Sequence, residues 1–165
     1  MPFWILVASY WIHLLATVVW LGGLSLMALV AWPALKQQTL AGNQWASLQI
    51  RFAPWANGSL VLLLITGFVQ MTNDEHYSGF LVMDSLWSQA ILVKHLAFLG
   101  MVLIAAYTQG WLYPAMERTA LLAENKPALA EAEQTKLARQ EMRLLRVNVA
   151  CAVAVLLCTA VATAI

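Results

Sequence analysis

The chain is predicted to be all-α, an integral membrane four-helix bundle running up-down-up-down with a cytoplasmic helical extension before its fourth span. Three observations predict this. The composition is 62% hydrophobic and only 10% charged, against about 25% charged in soluble domains. Four long runs carry no charge or a single one: residues 1–35, 52–73, 85–116 (broken by Lys94) and 147–165. Each comes to the roughly 20 apolar residues that cross a ~30 Å hydrocarbon layer. Finally, Lys and Arg alternate along the connections: Lys36 and Arg51 in the first, none in the second, and Arg118, Lys126, Lys136, Arg139, Arg143 and Arg146 in the third. The positive-inside rule then makes the first and third connections cytoplasmic and leaves both termini and the second connection outside.

The first span is expected at about residues 3–32. It begins with no basic residue and is too long for a cleaved signal peptide, whose apolar core covers only about 7–15 residues, so it is expected to be retained. Pro33 is expected to end it, because proline disfavours helix at the residue before it. Within it lies Tyr10-Trp-Ile-His13, followed by Trp20-Leu-Gly-Gly23. An ionisable residue in a membrane segment is a functional-site hypothesis, and His13 is that residue here. His13, Trp20 and Met27 recur every seventh position and share a stripe expected to face the bundle interior. Gly22 and Gly23 let a second helix or a flat ligand approach the backbone; plain helix packing explains them equally well, but does not explain His13.

The second span, about 54–71, has no ionisable residue. Its Asn57, Ser59, Thr66 and Gly67 read as packing residues and are assigned no chemistry. The connection after it holds Asp74, Glu75 and Asp84 with Met71, His76 and Met83, thioethers and an imidazole that suit copper, although their irregular spacing fits a solvated loop better. The third span, about 86–113, is expected to stop at Pro114 and carries Lys94-His95 two turns in. The polar stretch 117–146 is expected to be helical from Lys126-Pro127, since proline suits a first helical position. Its alternating charges read as a solvated face with pairs three or four apart, continuing unbroken into the fourth span, about 143–165. These spans make one domain covering 1–165. Cys151 and Cys158, seven apart on one helix, are ~10 Å apart along its axis, too far for a disulfide, and read as packing residues. A net charge of +1 without a basic patch gives no sign of nucleic-acid binding.

His13 and His95 each lie ~15 Å from the start of spans that run in the same direction. Two imidazoles at one depth on parallel helices can clamp a planar cofactor, and bundle cores commonly hold such sites. Non-covalent haem b is the cofactor that fits, because no Cys-x-x-Cys-His is present. Lys94 is the alternative second ligand; it sits about 100° around the helix from His95, so the two cannot point at one centre equally well. The site set is therefore His13, His95 or Lys94, Trp20 and Gly23. The competing reading makes both histidines structural hydrogen bonders.

Several of these residues resemble a known family. His13-x6-Trp20-Leu-Gly-Gly23, Pro33, Arg51-Phe52-Ala-Pro54, Thr66-Gly67, Gly79-Phe-Leu, Leu92-Val-Lys94 and Tyr107 appear in order as in the membrane domain of copper resistance protein D, over about residues 10–118 and more weakly beyond. A more distant resemblance is to HemJ-type protoporphyrinogen oxidases, in which His13, Trp20, Lys94 and Arg146-Val-Asn148 would find counterparts. The Pro-Arg expected beyond the tryptophan is missing, however, and Pro33 lies further on. The first resemblance implies copper import or resistance at a bacterial inner membrane; the second implies a haem site.

Three functions follow. In the first, a haem b protein of the membrane passes electrons to a redox partner protein or oxidises a hydrophobic substrate such as a quinol or porphyrinogen. In the second, His13, the methionines Met27 and Met101, Cys151 and the second connection conduct or sense copper. In the third, the chain is an accessory subunit in a larger assembly or oligomer within the lipid bilayer.

Overall fold

The computed structural model of the protein describes residues 2–75, 77, 79, 85–122 and 127–164. It is all-helical over them, with α1 (Phe3–Leu26), α2 (Trp32–Lys36), α3 (Gly42–Thr72), α4 (Leu86–Tyr107), α5 (Tyr113–Leu122) and α6 (Pro127–Ala164). Two π-helical turns, Met27–Ala31 and Thr108–Leu112, join α1 to α2 and α4 to α5. Four continuous helical stretches are therefore long and apolar enough to cross a membrane: Phe3–Lys36, Gly42–Thr72, Leu86–Leu122 and Pro127–Ala164. Their polarity is the reverse of a soluble protein's. Ser9 and Thr66 are 7% and 5% exposed, whereas Trp4 and Leu29 are 77% and 75% exposed. Lipid tolerates apolar side chains outside and requires polar groups to find partners within the protein.

Neither Pro33 nor Pro114 ends its helix. A proline inside a helix lacks an N–H and its ring clashes with the carbonyl four residues back. In both places a π-helical turn ends immediately before the residue preceding the proline, and the N–H of that residue, Trp32 or Tyr113, bonds five residues back to Met27 or Thr108. The wider turn repositions the carbonyls that proline would strike, so the chain stays helical to Lys36 and Leu122. The second span also starts earlier than expected. Residues 42–53 contain Asn43, Gln44, Gln49 and Arg51, which lower the hydropathy without preventing a helix, and Gln44 accepts a hydrogen bond from the Ala41 N–H at 3.1 Å. Pro54 sits inside α3. The extension before the fourth span forms as expected, unbroken with it in α6.

The chain divides into two compact units, residues 1–92 with the extreme C-terminus and residues 93–163. In the first, α1 packs antiparallel on α3: Gln70 reaches Ser9, and Phe52, at the other end of the seam, lies on Gly23. A Cβ at Gly23 would run into the Phe52 ring, while one at Gly22 would meet nothing within 4 Å. The close approach that the glycine pair permits is thus used by Phe52. In the second unit, Gln140 of α6 donates to the Tyr107 hydroxyl at 2.7 Å. A Cβ at Gly100 would lie 3.6 Å from Cys151 Sγ, so α4 and α6 are close there. Met101 is 2% exposed and Leu112 is fully buried. The expected charge pairing on α6 occurs between exposed Lys136 and Glu133 at 3.8 Å, but Glu141, expected to be solvated, is buried, within electrostatic reach of Tyr113.

Gly23→Ala should lower thermal stability in detergent by about 1–3 kcal/mol, the usual cost of overpacking, and Gly22→Ala should be neutral or stabilising. Adding Phe52→Ala to Gly23→Ala should remove the clash penalty, a coupling that a double-mutant cycle of melting curves measures.

Candidate intramembrane histidine site

The polar groups of the first unit meet at one level of the α1–α3 seam. His13, half-buried on α1, has Nδ1 2.8 Å from Thr66 Oγ1 of α3. Thr66 is itself buried, and its hydroxyl donates to the Leu62 carbonyl one turn back at 2.6 Å. Thr66 supplies the oxygen, and Gly67 lies beside the ring: a Cβ there would be 3.7 Å from His13 Cε1, an ordinary van der Waals contact. One turn away, buried Ser9 donates to the Thr66 carbonyl at 3.4 Å, and Gln70 Nε2 donates to the Ser9 carbonyl at 3.3 Å. Thr17 back-bonds to the His13 carbonyl at 2.8 Å. The imidazole therefore sits on a seam whose polar atoms bridge α1 and α3 at its level and one turn toward the start of α1.

Of the residues singled out in the sequence, His13, Trp20 and Gly23 belong to this unit. Trp20 is buried, and Gly23 serves the Phe52 contact rather than a ligand. Met27 and Met71 are buried in the same unit. Met71 is five residues beyond Thr66, ~7.5 Å along α3. Lys94 and His95 belong to the second unit. Both are half-buried on α4, and Lys94 lies within electrostatic reach of Cys158 on α6. Cys151 faces Gly100, which fits the packing role read for it. Asn148 Oδ1 is buried with no hydrogen-bond partner among the described residues. The copper ligands considered in the second connection, His76 and Met83, lie outside the described residues, as does Asp84. Among the described residues no three His, Cys, Asp or Glu side chains come together to hold a metal ion. Sequence reasoning missed Thr66, Ser9 and Gln70; the available signal was a run of hydroxyl and amide groups at the depth of an unexplained histidine.

Four long apolar helices with inward-facing polar groups define a multi-pass membrane protein. The family model for copper resistance protein D matches residues 46–162, and the chain belongs to that family. Comparison with curated proteins and with solved structures gave no match. The match differs in extent from the resemblance read in the sequence. It starts inside α3, runs through most of the last span to residue 162, and leaves out the His13–Gly23 stretch. Thr66-Gly67, Lys94 and His95 fall within it; His13 does not.

The packing around His13 sets a prediction. Gly67→Ala adds a methyl at ordinary van der Waals distance from Cε1 and should leave melting temperature and His13 geometry essentially unchanged. Gly67→Leu fills the ring's place and should separate His13 from Thr66, costing about 1–3 kcal/mol, as read from thermal melts and from the histidine NMR resonances.

Proposed function

We propose that this chain is a copper-handling component of a membrane, with His13 as an intramembrane nitrogen ligand that the ion meets in transit. The observation that carries the reading is the half-buried His13 imidazole, hydrogen-bonded across the α1–α3 seam, in a chain of the copper resistance protein D family. Imidazole is a donor that copper accepts, whereas Met71, five residues beyond Thr66 on the partner helix, lies about 140° around it and is not on the face that meets His13. The absence of a cluster of three stronger donors among the described residues suits a point of passage better than a storage site. The Lys and Arg distribution supports a bacterial inner-membrane orientation with both termini and the second connection on the periplasmic side, from which copper would reach Met71 before His13.

The haem reading uses the same His13 with His95 or Lys94. It loses one of its supports, because the Phe52 ring occupies the approach to Gly23 that a flat ligand would have needed.

Purified protein in detergent, titrated with Cu(I) against a chromogenic chelator, separates the two. The expected result is a colourless protein that competes for Cu(I), weakened at least ~10-fold by His13→Ala and less by Met71→Ala, with Lys94→Ala near wild type. A b-type band in the reduced-minus-oxidised spectrum, lost in His13→Ala and in either His95→Ala or Lys94→Ala, would replace the copper reading by the haem one.

A further inference from the structure

We infer that Thr66 is a positioning residue that fixes the tautomer of His13, holding the ring proton on Nδ1 and so making Nε2 the nitrogen whose lone pair can bind a metal. The part concerning the metal rests on the reading of His13 as a ligand. The part concerning the tautomer rests on hydrogen-bond geometry alone.

Thr66 Oγ1 lies 2.6 Å from the Leu62 carbonyl oxygen. Two oxygens at that distance repel unless a proton lies between them, and the carbonyl has none to give, so the single hydroxyl proton of Thr66 is committed to Leu62. Toward His13 the hydroxyl can then offer only a lone pair. Nδ1 lies 2.8 Å from that same oxygen, and a hydrogen bond there requires Nδ1 to be the donor. A neutral imidazole carries one ring proton, so Nε2 bears the lone pair. Free histidine in water keeps its neutral-form proton mainly on Nε2, so the opposite tautomer here is imposed by the protein. This is the arrangement by which a hydrogen bond behind a metal-binding imidazole fixes its tautomer and orientation and raises its basicity.

The surrounding residues hold the oxygen in place. The back-bond to Leu62 is internal to α3 and does not depend on α1. Ser9 ties α1 to the Thr66 carbonyl, and Gln70 ties α3 to the Ser9 carbonyl, so Oγ1 and Nδ1 are registered from both helices. Gly67 lies beside the Cε1 edge of the ring. Valine at position 66 would keep the shape of the side chain and lose the acceptor. Serine would keep both the acceptor and the option of back-bonding.

The test is nitrogen-15 NMR of histidine-labelled, metal-free full-length protein in detergent, with the His13 signals identified by their loss in His13→Ala. The expected wild-type pattern is a pyrrole-type Nδ1 and a pyridine-type Nε2. Thr66→Val should shift the ring toward the Nε2–H form and weaken Cu(I) binding by about 10–100-fold, as loss of such a hydrogen-bond partner does; Thr66→Ser should restore both. A wild-type His13 protonated on Nε2 would overturn the inference without recourse to any variant, as would a Thr66→Val protein that folds and keeps the Nδ1–H pattern. If the wild type shows the Nδ1–H form but Cu(I) binding is indifferent to His13→Ala, the ligand reading falls, and the metal role of Thr66 with it, while the tautomer assignment stands.

Discussion

The hydrogen bond between His13 and Thr66 is the contact around which the first unit makes sense. In a hydrocarbon layer no water competes for polar groups, so each one must be satisfied by the protein. An imidazole on α1 accordingly obliges α3 to present a partner at the same depth. Thr66 meets that demand at 2.8 Å while satisfying its own proton within its helix. The Ser9 and Gln70 contacts fix the register that this pairing needs. At the other end of the seam the requirement is purely steric, since Gly23 gives way to the Phe52 ring. One end of the seam is thus directional and polar, the other close-packed and apolar, and together they restrict α1 to one rotation against α3.

What could be read in advance follows from which signals survive in one dimension. The four spans were legible because hydropathy sums over about twenty residues and tolerates a stray polar group. Their ends were not. Pro33 and Pro114 are read as stops when only proline's bias against helix at the residue before it is considered, and the π-helical turns that carry the chain past both prolines have no composition of their own. The early start of α3 was hidden because Asn43, Gln44 and Gln49 belong equally to a loop and to an exposed helical face. Gly22 and Gly23 are indistinguishable as letters; only the position of Phe52 decides that the second is the contact.

The site was half legible. His13 announces itself, because an imidazole in lipid needs a reason. Thr66 does not, because threonine in a membrane helix commonly back-bonds to its own carbonyl and thereby explains itself away. It makes that bond here as well, and the same bond gives it a second use. With its proton committed, the hydroxyl becomes a pure acceptor toward α1. Glu141 shows the reverse error: its place in an alternating charge run suggested solvent, whereas α6 turns it inward, within reach of Tyr113.

Family membership and the histidine site are separable pieces of evidence, and their separation bears on mechanism. The match to copper resistance protein D covers residues 46–162, so it includes Thr66-Gly67 but not the helix that carries His13. Membership argues for copper handling without locating the ion, and the α1–α3 seam locates a donor without naming the ion. They meet at Thr66, the one member of the hydrogen-bonded pair inside the matched region. A conduit must bind weakly enough to release. Under the copper proposal, the Nδ1–H tautomer of His13 would direct the Nε2 lone pair to an arriving ion without a proton having to move.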